Sequence, residues 1–99
     1  MVEPFSRAAG IVGERLREIR TGLGLSQEEV AHLADIHPTN YGKIERGRAN
    51  PSLTTVVRIA TALDRDAGEL ITGLTIEDLP GRHRRYTARD FLRERDRLN

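Results

Sequence analysis

The stretch Gln27–Gly47, QEEVAHLADIHPTNYGKIERG, entered through Ser26, leaves room for little besides two short helices joined by a sharp turn. Ser26 is a good N-cap, and Glu29, three residues on, is the matching partner of a capping box. A first helix is therefore predicted over Gln27–Ala34. Val30, Leu33 and Ala34 share one face at helical spacing, and Ala31 is small enough for a second helix to cross closely. Asp35 stands where the chain must turn, and aspartate tolerates the left-handed conformation better than most non-glycine residues. A second helix is predicted from Pro38, whose fixed φ and missing N–H suit a first helical position, to the C-terminal stop at Gly47.

The second helix has two unlike faces. Tyr41 and Ile44 point inward, whereas Thr39, Asn40 and Lys43, three and four apart, point outward. The outward set consists of short donors and acceptors with one long cation, the chemistry that reads base edges in a major groove. Asn can bond adenine bidentately, Lys can donate to guanine, and a Thr methyl can touch thymine. The competing reading is an ordinary solvated helix face. Gln27 can donate its amide to a phosphate beside the positive end of the first helix, or be a plain helix-start residue. His37, at the N-cap position, can cap through a ring nitrogen or reach a phosphate. Tyr41 reads as a core ring whose hydroxyl extends to the rim and a phosphate, or as core alone. Gly42 either permits close approach to a DNA backbone or is a tolerated weakness.

Elsewhere the punctuation again suits helices. Residues 1–9 read as a loose lead-in, with Ser6 available to cap an early start. From about Gly10 to Thr21, Val12, Leu16, Ile19 and Leu23 recur at four, three and four, and Gly22 and Gly24 end the pattern. Gly13 inside it costs about 1 kcal/mol relative to alanine. After the turn at Asn50–Pro51, Ser52 can cap a helix whose stripe is Leu53, Val56, Ile59, Ala60 and Leu63. Asp66 with Glu69 predicts a capping box for a short fifth helix, Ala67 to about Thr72. Beyond Leu74, TIEDLPG suits a single turn, GRHRRY an extended or looped basic stretch, and Thr87 with Asp90 the start of a further helix reaching about Leu98.

Charge limits the possible partners. The chain is nearly neutral, at +1, which taken alone argues against nucleic acid. Its distribution matters more. Residues 1–74 carry nine basic and ten acidic side chains, residues 75–99 seven arginines against five acids. Within Pro38–Asn50, Lys43, Arg46 and Arg48 face Glu45 alone, so any DNA surface is a local basic stripe on a balanced body. There is no cysteine, no apolar run approaching a membrane span and no secretory signal pattern, so a cytoplasmic protein is expected. His32, His37 and His83 have no metal-ligand spacing. No nucleophile motif or phosphate loop is present either, so no metal, cofactor or catalysis is expected.

The segments LSQEEVAHLA, KIERG, NPSL and RIATAL, in that order and at their spacing, resemble the phage-repressor (Cro/Xre-type) helix-turn-helix family of transcription regulators. The resemblance spans about Ile11 to Ile71. It implies an all-α, five-helix DNA-binding domain over residues 10–73, with the recognition helix at about 38–46. Residues 74–99 become an Arg-rich C-terminal extension with one extra helix. It further implies that Gln27 contacts a phosphate and that Pro38 lies near the bases. Arg46 and Arg48 would fall in a loop running along phosphates, and Arg20 would pair with Glu45. The sequence departs from the family at Asp64 and Arg65, where glycine and an aliphatic residue are usual, and at Ala67, usually larger. The family's fifth helix often contributes to dimers, so these changes bear on dimer geometry.

The resulting expectation is a sequence-specific regulator, a repressor or autoregulator, binding double-stranded DNA as a homodimer on an inverted repeat. An antitoxin or a restriction-modification controller of the same fold is one alternative. The other is a protein-interaction module that keeps the fold as scaffold and takes a protein partner through residues 75–99. Arg82, Arg84 and Arg85 stay open between a solvated basic linker and an arm on phosphates.

Overall fold

The computed structural model describes residues 3–98; Met1 and Val2 of the expected lead-in and Asn99 of the tail lie outside the described residues. The order is α1 (Arg7–Leu23), α2 (Gln27–Ala34), α3 (Pro38–Glu45), α4 (Leu53–Ala62), α5 (Ala67–Ile71), a 3₁₀ turn (Ile76–Asp78) and α6 (Ala88–Leu98). Helix α1 starts three residues before the expected Gly10. The Ser6 hydroxyl accepts the Ala9 N–H at 2.9 Å and caps it there. What precedes it is not loose. Phe5 donates its N–H to the Gly47 carbonyl at 2.7 Å, and Pro4 packs against Gly10 and Gly47.

Local chemistry sets the remaining ends. The Ser26–Glu29 capping box is closed in both directions, at 3.1 and 2.8 Å. Asp35 takes the left-handed conformation at φ 57°, which turns α2 into α3. Asp64, at the position where the resembled family usually has glycine, adopts the same region at φ 55°. The expected box at α5 is only half made. Asp66 accepts the Gly68 N–H at 3.0 Å, but Glu69 turns to Arg65 at 2.9 Å instead of back to the cap. Thr87 and Asp90 form the reciprocal pair that opens α6, at 3.0 and 3.2 Å.

Five helices enclose one core. Helix α2 packs on α3 and α4, α1 on α3 and α5, and α4 on α5. Val12, Leu16, Val30, Ala31, Tyr41, Ile44, Ile59, Leu63 and Leu70 fill the space between them. Three apolar residues expected on buried faces lie outside. Leu23, Leu33 and Leu53 are more than half exposed, because each stripe is wider than the neighbour that covers it. Gly13 has a reason that periodicity does not reveal. A Cβ there would sit 2.3 Å from the Glu45 carbonyl oxygen, so α1 and α3 cross in backbone contact at this residue. The tail stands apart: no residue of α6 is buried, and the radius of gyration, 17.1 Å, exceeds the roughly 13 Å of a compact chain this long.

Candidate nucleic-acid interface

Helix α3 is held from behind by a polar cluster centred on Glu45. Arg20 of α1 grips the Glu45 carboxylate with two nitrogens, Nε to Oε2 at 2.8 Å and Nη2 to Oε1 at 2.6 Å. Its third nitrogen, Nη1, donates to the Leu25 carbonyl at 2.9 Å. Gln27 at the start of α2 donates its amide to Glu45 Oε1 at 3.2 Å. One carboxylate thus joins α1, α2 and α3. The side chains are 14 % (Arg20) and 2 % (Glu45) exposed, so the pair is largely removed from solvent. Burial pushes the Glu45 carboxyl up; hydrogen bonding from Arg20, with help from Gln27, outweighs it and holds the group below its ordinary value.

The neutralised acid matters for what lies in front. Glu45 is the one acidic residue among 38–50, and it is turned inward and matched by Arg20. The remaining charges of that segment, Lys43, Arg46 and Arg48, are all exposed. The balanced composition therefore hides a surface that is locally basic.

Thr39, Asn40 and Lys43 are exposed on the outer face of α3, and Pro38 is exposed at its first position. His37 caps the helix: its Nδ1 accepts the Thr39 N–H at 3.1 Å. A neutral ring used in this way carries its proton on Nε2, on the other side of the ring, where it remains a donor. Arg46 folds back over Gly42. A Cβ on Gly42 would lie 3.0 Å from Arg46 Nη1 and 3.4 Å from Gln27 Oε1, so the glycine makes room for these two side chains. The second amide proton of Gln27 stays uncommitted to Glu45. After α3, Gly47 turns through φ 74° and Arg48 donates its N–H to the Lys43 carbonyl at 2.8 Å, which fixes the start of the loop.

Tyr41 is placed differently from the expectation of a phosphate contact. It is 0 % exposed, and its hydroxyl lies inside the core beside the Arg20–Glu45 pair. Burial first, and the adjacent carboxylate second, raise its phenol far above the ordinary value. The hydroxyl comes near Glu45 but lacks hydrogen-bond geometry, so it has no partner among the described residues. Its size carries the ring from α3 across the core, where a shorter aliphatic residue would leave the hydroxyl's place empty. Sequence reasoning also missed the direct link from Gln27 to Glu45. The two are eighteen residues apart, and only the folded crossing of α2 and α3 joins them.

Among the described residues no group of three or more His, Asp or Glu side chains is arranged to hold a metal ion. No described helix is long and apolar enough to cross a membrane.

Residues 16–70 match the helix-turn-helix family. The chain is 36% identical over 62 residues to the control protein C.SmaI of Serratia marcescens, covering 63% of this chain and 74% of that protein. It is 38% identical over 61 residues to the SPbeta prophage-derived HTH-type transcriptional regulator YonR of Bacillus subtilis, covering 62% of this chain and 56% of that one. Among solved structures, the restriction-modification controller protein C.AhdI of Aeromonas hydrophila superposes with a TM-score of 0.62 at 45% identity, over 63% of this chain and 94% of that one. The match, the five-helix core and the capped two-helix unit agree: this chain belongs to the Xre/Cro-type helix-turn-helix family of transcription regulators.

Proposed function

We propose that this chain, a DNA-binding transcriptional regulator by family, acts as a homodimer on an inverted repeat and represses or autoregulates the genes beside it. Each protomer would insert α3 into the major groove, with half-site centres about 34–36 Å apart. The observation that carries this reading is the division of α3. Its acid is buried and paired with Arg20, while Thr39, Asn40 and Lys43 stand exposed together. In this reading those three side chains contact base edges, and Pro38 supplies apolar contact beside them. Gln27, His37, Arg46 and Arg48 hold phosphates and set register without reading sequence. Leu53, Val57 and Ile71 on α4 and α5 are exposed, and apolar side chains left in water there support self-association. The protein would work on the chromosome in the cytoplasm.

The test is selection from a random duplex pool, with wild type beside the Asn40→Ala, Lys43→Ala double variant. Wild type is expected to recover a palindromic motif. Each single substitution should cost about 1–3 kcal/mol on that site and relax preference at the position it reads. Recovery of no motif by folded wild type at low and moderate salt would reject the reading.

A second reading is favoured by the similarity to C.SmaI and C.AhdI, a control protein and a restriction-modification controller. Here the operator lies upstream of the chain's own gene, with an endonuclease or a methyltransferase gene adjacent. Sequencing the flanking genes and footprinting the upstream region would decide between a controller and an unlinked regulator.

A further inference from the structure

The basic segment after α5 leaves the body on the same edge as the loop that follows α3. Asp78, at the end of the 3₁₀ turn, accepts Arg7 Nε at 3.1 Å, which ties the root of the tail to the first turn of α1. Leu79 then lines a groove with Phe5, Val12, Asn50 and Pro51. Phe5 is itself bonded to the Gly47 carbonyl, between Arg46 and Arg48. Arg82 follows Leu79 by three positions, a span of at most about 11 Å. The segment is also held back on its root. His83 Nε2 lies 2.9 Å from the Leu79 carbonyl oxygen, and Arg85 Nη1 lies 2.5 Å from Glu77 Oε1.

We propose that Arg82, Arg84 and Arg85 form a second phosphate-binding segment, extending the Arg46–Arg48 stripe along the DNA backbone beyond the bases under α3. The inference rests on the DNA-binding reading above and adds a site outside the family match, which ends at residue 70. Residues 79–89 contain four arginines and no acidic residue. Arg84 lies over the Tyr86 ring with its guanidinium carbon 4.6 Å from the ring centroid, which presents a planar cation at low entropic cost. Arg85 and Glu77 are 66 % and 61 % exposed, and a pair that open to solvent is weak enough for a phosphate to replace the carboxylate. Arg82 is exposed and has no ion pair among the described residues. An acidic protein surface would also attract this cluster. DNA is favoured because the cluster is rooted beside the loop whose arginines flank Gly47.

The test measures binding of the full chain to a labelled duplex of about 30 base pairs between about 50 and 200 mM salt. Wild type is compared with the Arg82→Ala, Arg84→Ala, Arg85→Ala triple variant and with the corresponding triple Lys variant. All three sites are exposed, and circular dichroism confirms that each protein is folded. The Ala variant should show a slope of log affinity against log salt shallower by about two to three, with at least about tenfold weaker binding at low salt. The Lys variant should keep the wild-type slope, and the motif recovered by selection should be unchanged in both. An Ala variant whose slope stays within about half a unit of wild type overturns the inference and turns residues 75–99 toward a protein partner. Failure of wild type itself to bind any duplex is a different result: it overturns the DNA-binding reading and this inference with it.

Discussion

Helices α4 and α6 are both amphipathic, yet they meet opposite fates. Helix α4 delivers Ile59 and Ala60 into the core, with Leu63 at its C-cap, all at most 2 % exposed. Helix α6 carries Phe91, Leu92 and Leu98 on a rough stripe interrupted by Arg95 and buries none of them; Phe91 is 54 % exposed. The difference lies in what the chain places opposite. Helix α4 is flanked by α2 and α5, whereas α6 follows a basic stretch whose exposed polar contacts, His83 with Leu79 and Arg85 with Glu77, stay within the tail. A periodic sequence creates a face, and topology decides whether the face is covered. Stability should accordingly be concentrated in the five-helix body and nearly absent from the tail.

The largest expected effect is at the body's polar centre. Glu45→Ala leaves the Arg20 guanidinium, 14 % exposed, without its carboxylate and should cost about 3–5 kcal/mol in urea unfolding. The same pair sets a pH dependence. Glu45 is held below its unfolded value, so its contribution is fully present above about pH 5 and is lost as pH falls through the folded value. Acid unfolding of Glu45→Gln should lack that component. A Glu45→Ala protein as stable as wild type would show that the body does not depend on this pair.

Next comes Gly13→Ala. With the Cβ 2.3 Å from a backbone oxygen, α1 and α3 must separate, at a cost of about 3 kcal/mol. On an exposed helix the same change would instead stabilise by up to about 1 kcal/mol. Thermal melts give the sign directly. Because α3 is displaced, DNA affinity should fall together with stability.

Tyr41→Phe should move stability by less than about 1 kcal/mol, toward greater stability, since it removes a buried hydroxyl with no hydrogen-bond partner. Its DNA affinity should equal wild type. Loss of affinity would bring the hydroxyl back to the phosphate surface.

The smallest effect belongs to the tail. Phe91→Ala should change stability by no more than about 0.5 kcal/mol at low protein concentration, because the ring is already half in water. A loss as large as that of a core residue, growing with protein concentration, would break the contrast between body and tail. It would place α6 inside an assembly.

How much was legible follows the range of each interaction. The caps at Ser26, Ser52 and Thr87, the left-handed turn at Asp35 and the Pro38 start of α3 are settled within four residues, so the sequence states them directly. The separation of Thr39, Asn40 and Lys43 from Tyr41 and Ile44 needs only helical periodicity. Family resemblance pointed to Arg20 and Glu45, a pair no local pattern contains. The place of the Tyr41 hydroxyl inside the core, the exposure of Leu33 and Leu53, the reason for Gly13 and the Gln27–Glu45 bond were not legible. Each depends on the distance between two helices, which no single segment encodes. By itself the sequence determined which segments are helical, where they stop and which side chains α3 turns outward, because those are short-range matters of capping and period. Only the tertiary structure decided that α1 and α3 touch through Gly13 and that one buried carboxylate joins three helices. It also decided that the arginines after Leu79 start from the edge of the α3–α4 loop, because close packing fixes contacts between residues far apart in the chain.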